Sequence, residues 1–573
     1  MTTSMLLETV LCLLFAALMT LGPGRPWAAR LGFDPAETLV AGAVLSLIVV
    51  WGAGWALYVT DAPPAAVWFL PALALAGLAA GRRGLGALVR DPDARGLAVG
   101  QILVTGWCVG WLAFTPIYSV GTWAGDWLEH WERTLFFLDH WPRDHRFIGL
   151  YDLSARPPLA NVLTAVLLGL TRDDYPHYQV FMAVLSSLSF LPAALLARRF
   201  GGRAAPAILA ALVLVNPLFA VNATFPWTKL PAAFFILTGL YFFLRARDGG
   251  PKERASCIVC GLSLAGGILT HYSAAPYAVV LGVAWIALGR NRGNAAAFTR
   301  TTVLAAAAAA AVLLSWFGWS VAVYGAGATF LSNTSVTSLK DWQGSQAEKL
   351  LLNLRDTLVP HFLRPMDRSL IEQTSPWGLF HDWCFEAYQS SFPFALGSVA
   401  WLAVVREAVR AGREAAPRDR WFWIASVSAM IVLGVAVHGD RDAWGLAQIC
   451  LQALVLAGLA FLAARWDRLG RGWRRAVIAG GLADLTLGVA LQFAVQDFAL
   501  DRWLAPERNF NQACNSYSTT VRANIAGKIG RHLVFFSDLF TPAPVLVLAL
   551  LAVILMLALL RARRFPARTP PDI

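Results

Sequence analysis

Long apolar segments recur along the whole chain, separated by short polar clusters. A helix needs about 20 mainly apolar residues to cross the ~30 Å hydrocarbon core of a membrane. This pattern predicts an all-α polytopic membrane protein with about 15 transmembrane helices. Their predicted starts lie near residues 5, 38, 66, 97, 178, 206, 229, 257, 274, 301, 391, 421, 444, 476 and 542.

Arginine clusters between these segments predict the orientation. Examples are "GRRGLGALVRDPDAR", "RRFGGR" and "RARDGGPKER", which are typical of cytoplasmic loops. The N-terminus is then outside and the C-terminus is cytoplasmic. Three long loops, 119–177, 324–390 and 497–541, fall on the extracytoplasmic face. The apolar segment 159–170 is too short to cross, so we predict an interfacial juxtamembrane helix there.

Composition agrees with this assignment, because 57% of the 573 residues are hydrophobic and only 14% are charged. The formal net charge of +12 could indicate a protein that binds nucleic acid. However, the basic residues lie in short loops between apolar segments, as the positive-inside rule expects. We therefore expect a lipid bilayer as partner and no nucleic acid. The alanine- and arginine-rich composition is compatible with a bacterial inner (plasma) membrane.

The first outer loop concentrates titratable and aromatic residues in "GTWAGDWLEHWERTLFFLDHWP". Asp126 and Glu129 are spaced i, i+3, so one helical turn would place both carboxylates on the same side. A carboxylate so placed can accept a proton from an attacking hydroxyl. The alternative is a solvated loop with ordinary acids. Trp127 and its neighbouring tryptophans could line a sugar site, or could form an interfacial aromatic belt.

Other polar residues are expected on the same face. Arg156 precedes two prolines and could bind a phosphate or extend towards lipid headgroups. Lys229 begins one predicted span, and His271 with Tyr272 ends the next. His438 lies in another outer turn and could also line the site. Because the predicted spans contain few charges, an enzyme at the membrane surface is favoured over a pump or channel.

The order of these features resembles that of the GT-C glycosyltransferases, which include protein mannosyltransferases and lipid A aminoarabinose transferases. An acidic first outer loop leads to a basic residue with "PPL", then to "FMAVLSSLSFLPAALLARRFGGRAAPAILAALVLVNPLF". The segments "TKLPAAFFILTGLYFFLRAR" and "GLSLAGGILTHYSAAPYAVVLGVAW" are similar to the next core helices. The resemblance spans residues 97–323. It implies a catalytic core there, accessory helices in 1–96, an outer loop in 324–390 and further helices in 391–573.

The resemblance also implies an activity. Such an enzyme takes a sugar from a polyprenyl-phosphate carrier and transfers it to a lipid, glycan or protein acceptor on the extracytoplasmic face, with inversion. Asp126 would be the catalytic carboxylate with Glu129 in support, and Arg156 and Lys229 would bind the donor phosphate. No cofactor is certain; a divalent metal is possible, without a recognisable ligand spacing. The alternative function is a flippase or transporter of a lipid-linked sugar, for which the same polar pocket would be a binding station.

Overall fold

The computed structural model describes residues 3–115, 126–149, 151–289, 295–332, 345–360, 363, 384, 387–389, 391–436, 451–491 and 533–539. The main helices are α1 Thr3–Leu21, α2 Arg25–Arg30, α3 Pro35–Val59, α4 Phe69–Ala80, α5 Arg82–Arg90, α6 Pro92–Leu112, α7 Asp126–Asp139, α8 Leu159–Gly169, α9 Tyr175–Ser187, α10 Phe190–Gly201, α11 Ala205–Leu214, α12 Pro217–Thr224, α13 Lys229–Arg247, α14 Glu253–Thr270, α15 Ala275–Gly289, α16 Ala295–Leu331, α17 Gln346–Leu358, α18 Ala400–Glu414, α19 Pro417–Ala436, α20 Gln452–Ala464 and α21 Arg471–Ala483. Within the described residues, the predicted helical fold class is confirmed.

Five helical segments of the described chain are long and apolar enough to cross a membrane: Pro35–Val59, Tyr175–Gly201, Lys229–Arg247, Glu253–Thr270 and Phe298–Leu331. Two bent pairs, each counted as one span, raise this number to 7. Helices begin within several residues of the other predicted starts, apart from those near 444 and 542, which lie outside the described residues. The total of about 15 spans stays a prediction.

One predicted span is two helices. α11 and α12 meet at a bend of 71°. The Asn216 side chain accepts a hydrogen bond from the Phe219 amide at the start of α12, and Pro217 has no amide to donate. Asn216 also donates to the Ala395 carbonyl at 2.8 Å, which fixes the bend against a later part of the chain. α12 then delivers the chain directly to the start of α13.

The first outer loop folds into α7 and α8, which pack together. Thr134 and Thr164 share a hydrogen bond of 2.9 Å, and the Asn161 amide donates to the His130 carbonyl at 2.9 Å. The predicted short helix over 159–170 is therefore present. However, every residue from Leu159 to Leu168 is buried, so α8 packs inside the helical bundle rather than lying on its surface.

The opposite end of the bundle is held by ion pairs. Asp34 caps α3 and contacts Arg198 of α10 at 3.2 Å. Glu37 accepts hydrogen bonds from Tyr241 at 2.9 Å and Arg245 at 3.1 Å, both near the end of α13. Since α13 is 19 residues long, its start lies about 25 Å from this network. These contacts join α3, α10 and α13 and leave the start of α13 facing α7.

Candidate active site

Asp126 and Glu129 occupy the first turn of α7, as their spacing predicts. Negative side chains are favourable at this position because the N-terminus of a helix carries a partial positive charge. Their surroundings differ. The Asp126 side chain is 26% exposed, whereas that of Glu129 is fully enclosed. Asp126 is therefore the more accessible of the two acids.

Glu129 lies between two arginines. Its Oε1 accepts from Arg133 Nε at 2.7 Å, and its Oε2 is 3.1 Å from Arg156 Nη2. Arg133 is fully buried and donates to the carbonyl oxygens of Leu153 at 3.1 Å and Asp152 at 3.0 Å. Arg133 therefore fixes the chain just before Arg156 to α7. Sequence reasoning missed this residue, although its i, i+4 spacing from Glu129 is the usual one for an ion pair on a helix.

Arg156 connects the two acids. Besides Glu129, its Nη2 contacts Asp126 Oδ1 at 3.4 Å, and its guanidinium lies 5.0 Å from the centre of the Tyr151 ring. Burial opposes the charge on Arg156, but Glu129 and Asp126 outweigh this effect and raise its pKa above the ordinary value. Arg156 thus stays cationic beside the exposed carboxylate.

Trp227 connects Asp126 to Lys229. Its indole Nε1 donates to Asp126 Oδ2 at 3.1 Å, across 101 positions of sequence. The Lys229 ammonium lies over the same indole, 4.2 Å from the ring centre, at the buried first position of α13. An ammonium over an indole face is attracted by the π electrons. The sequence analysis assigned no role to Trp227.

Two histidines sit in the positive field of this site. Burial lowers the pKa of His130 well below its ordinary value, and Arg156, Arg133 and Lys229 lower it further. Burial, followed by Lys229 and Arg156, does the same to His271. Both imidazoles are neutral at pH 7. The His271 Nδ1 accepts from the Ser273 amide at 3.1 Å, which turns the chain out of α14.

We call Asp126, Glu129, Arg133, Arg156 and Lys229 the charged cluster. It contains three cations and two carboxylates, so its formal charge is +1. Arginine and lysine are the usual protein partners of phosphate. The geometry therefore combines a solvent-accessible carboxylate with positive charge available to a phosphate.

The remaining predicted site residues are less central. Trp127 is 1% exposed and packs against Tyr175 and Phe535, and its place in lining the site stays a prediction. The Tyr272 hydroxyl donates to the Thr329 carbonyl at 3.4 Å and ties α16 to the end of α14. His438 lies outside the described residues. The described part of the chain contains no group of three acids, histidines or cysteines that could hold a metal.

The model of the dolichyl-phosphate-mannose-protein mannosyltransferase family matches residues 125–325. The match covers about a third of the chain, and what it shows is similarity to that family over this segment. The predicted resemblance to a group of glycosyltransferases that includes the protein mannosyltransferases is confirmed over this segment. The match begins one residue before Asp126 and includes Arg156, Trp227 and Lys229, so the matched segment contains the whole charged cluster.

Solved structures with low sequence identity align over a larger part of the chain. ArnT from Cupriavidus metallidurans bound to undecaprenyl phosphate is 19% identical, with a TM-score of 0.46, over 80% of this chain and 76% of that chain. The archaeal oligosaccharyltransferase AglB from Archaeoglobus fulgidus, in complex with an inhibitory peptide and a dolichol-phosphate, is 14% identical, with a TM-score of 0.36, over 73% of this chain and 56% of that chain. None of the curated proteins compared matches the chain.

Proposed function

We propose that the protein transfers a sugar from a polyprenyl-phosphate donor to an acceptor hydroxyl on the extracytoplasmic face of the membrane, with Asp126 as the catalytic base. The observation that carries this proposal is the position of Asp126 in the charged cluster. Asp126 is the more exposed acid there, and it lies beside Arg156 and within the reach of Trp227.

The chemistry assigned to Asp126 is one proton transfer. The acceptor oxygen attacks the anomeric carbon of the donor sugar and forms the new glycosidic bond. The bond from that carbon to the phosphate oxygen breaks, and its electron pair leaves with polyprenyl phosphate. The acceptor proton passes to Asp126. Attack opposite the leaving phosphate inverts the anomeric centre. Because an ionised carboxylate has about four acceptor positions, the bonds from Trp227 and Arg156 leave others free.

We assign binding of the leaving phosphate to Arg156 and Lys229. A guanidinium can bind two phosphate oxygens in a fixed plane, whereas an ammonium acts as a point charge. Negative charge grows on the phosphate as the sugar departs, so fixed cations there stabilise the transition state. Glu129 supports this step indirectly, because its Oε2 lies 3.1 Å from Arg156 Nη2 and this contact holds Arg156 beside Asp126.

Sugar transfer by Asp126→Asn tests the proposal. The substitution keeps the shape of the side chain and removes the base, and we expect transfer from a polyprenyl-phosphate donor labelled in its sugar to fall at least ~100-fold. Asp144→Asn is the matched control, because Asp144 is an exposed acid of the same loop and should leave transfer unchanged. Equal transfer by Asp126→Asn and wild type would refute the assignment. Movement of labelled donor across the bilayer without any transfer would support the flippase alternative.

A further inference from the structure

Arg25 is a buried arginine at the end of the bundle opposite the charged cluster. It begins α2, and only 3% of it is exposed. Its guanidinium lies between α3 and α5, next to a glycine of each helix. A methyl group on Gly84 of α5 would lie 2.8 Å from Arg25 Nη2, and one on Gly42 of α3 would lie 4.0 Å from Nη1. The absence of side chains at these glycines makes room for the guanidinium.

The charge of Arg25 has no counterion among the described residues. Its Nε is enclosed and makes no hydrogen bond, and no described carboxylate forms an ion pair with Arg25. Burial alone lowers the pKa of Arg25, whereas nearby acids raise the pKa of Arg156. Arginine nevertheless remains charged in proteins. An unpaired buried charge is strongly unfavourable, so a guanidinium in this position calls for an anion.

The surface around Arg25 has the character of a membrane interface. α5 carries exposed arginines, Arg82, Arg83 and Arg90, together with the exposed side chain of Val89. Trp27, two residues after Arg25 on α2, is 47% exposed, and tryptophan is enriched at membrane–water interfaces. Basic pockets between helices at such an interface bind the head groups of anionic lipids.

We propose that Arg25, together with the arginines of α5, forms a binding site for the phosphate group of an anionic phospholipid at the end of the bundle opposite the active site. The Arg25 nitrogens that are not fully enclosed, Nη1 and Nη2, would donate to the phosphate oxygens. The exposed arginines of α5 would add attraction at longer range. Free inorganic phosphate shares this chemistry, and the experiment below separates it from a lipid.

The experiment uses the full chain in nanodiscs of phosphatidylcholine, with or without phosphatidylglycerol. We expect phosphatidylglycerol to raise the thermal unfolding midpoint of wild type, and this increment to disappear in Arg25→Met. Arg30→Gln is the matched control: it removes an exposed arginine of the same helix and should keep the increment. In detergent without anionic lipid, Arg25→Met should be at least as stable as wild type, because it removes an unpaired charge.

Native mass spectrometry of protein released from the same nanodiscs provides a second readout that does not depend on the stability of any variant. We expect wild type to retain phosphatidylglycerol over phosphatidylcholine, and Arg25→Met to retain at least ~5-fold less. Equal increments in wild type and Arg25→Met, or no preference for phosphatidylglycerol in wild type, would overturn the proposal. An increment produced by inorganic phosphate alone in phosphatidylcholine nanodiscs would overturn the lipid as the occupant.

Discussion

Trp227→Phe isolates the hydrogen bond that orients Asp126. Phenylalanine keeps an aromatic ring under Lys229 but lacks the N–H that donates to Asp126 Oδ2 at 3.1 Å. A hydrogen bond to a charged group contributes about 1.5–3 kcal/mol. If the bond holds the carboxylate in its reactive position, kcat should fall about 10- to 150-fold, since 1.36 kcal/mol corresponds to a factor of ten. The KM for the donor should change little, because the charged residues that face the phosphate remain.

The assay is steady-state sugar transfer at varied donor concentration. Trp131→Phe is the control, because Trp131 is an equally buried tryptophan of α7 whose ring packs on Tyr175 and Tyr178 rather than on Asp126. We expect the control to retain its kcat. A change in kcat of less than about twofold in Trp227→Phe, or an equal loss in both variants, would refute the role of Trp227 in positioning the base.

Three further outcomes follow from the charged cluster. Glu129→Gln leaves the buried Arg133 without a carboxylate and should lower the free energy of unfolding by about 3–5 kcal/mol in a denaturant titration, whereas a loss below about 1 kcal/mol would contradict the burial argument. Lys229→Met should raise the KM for the donor about tenfold in the transfer assay, and the exposed Arg146→Met should not; equal KM values would argue against phosphate binding at Lys229. Burial, followed by nearby cations, lowers the pKa of His130 in the folded chain. Below about pH 6.5 the unfolded chain therefore binds a proton at His130, whereas the folded chain does not. Stability should therefore decrease as the pH falls from 7.5 to 5.5, less steeply in His130→Gln; parallel curves for the two proteins would contradict this.

Local spacing was sufficient to predict part of the site. The first turn of α7 follows from the i, i+3 pair Asp126 and Glu129, and the prolines after Arg156 predict a helix start close to Leu159. Orientation by arginine clusters also placed Lys229 on the same face. These predictions rest on interactions within a few residues, or on the solvent preference of whole segments, both of which a single sequence contains.

Long-range contacts were not predictable in the same way. The bond from Trp227 to Asp126 depends on the bend at Asn216, and hydropathy alone cannot distinguish a bent pair of apolar helices from one span. Arg133 was not singled out from the sequence, because two of its partners are backbone carbonyls, which leave no signal in side-chain patterns. The burial of α8 could not be predicted either, because an apolar helix of 11 residues is compatible with both a membrane interface and a protein core.

Donor binding and release of polyprenyl phosphate, measured on the same nanodisc samples, test the central claim most directly. The claim assigns the proton to Asp126 and the phosphate to Arg156. We predict that Asp126→Asn binds the sugar-labelled donor within about twofold of wild type but releases polyprenyl phosphate at least ~100-fold more slowly in a single turnover. Arg156→Met should instead bind the donor about tenfold more weakly. Release at the wild-type rate by Asp126→Asn, with donor bound, would contradict the account.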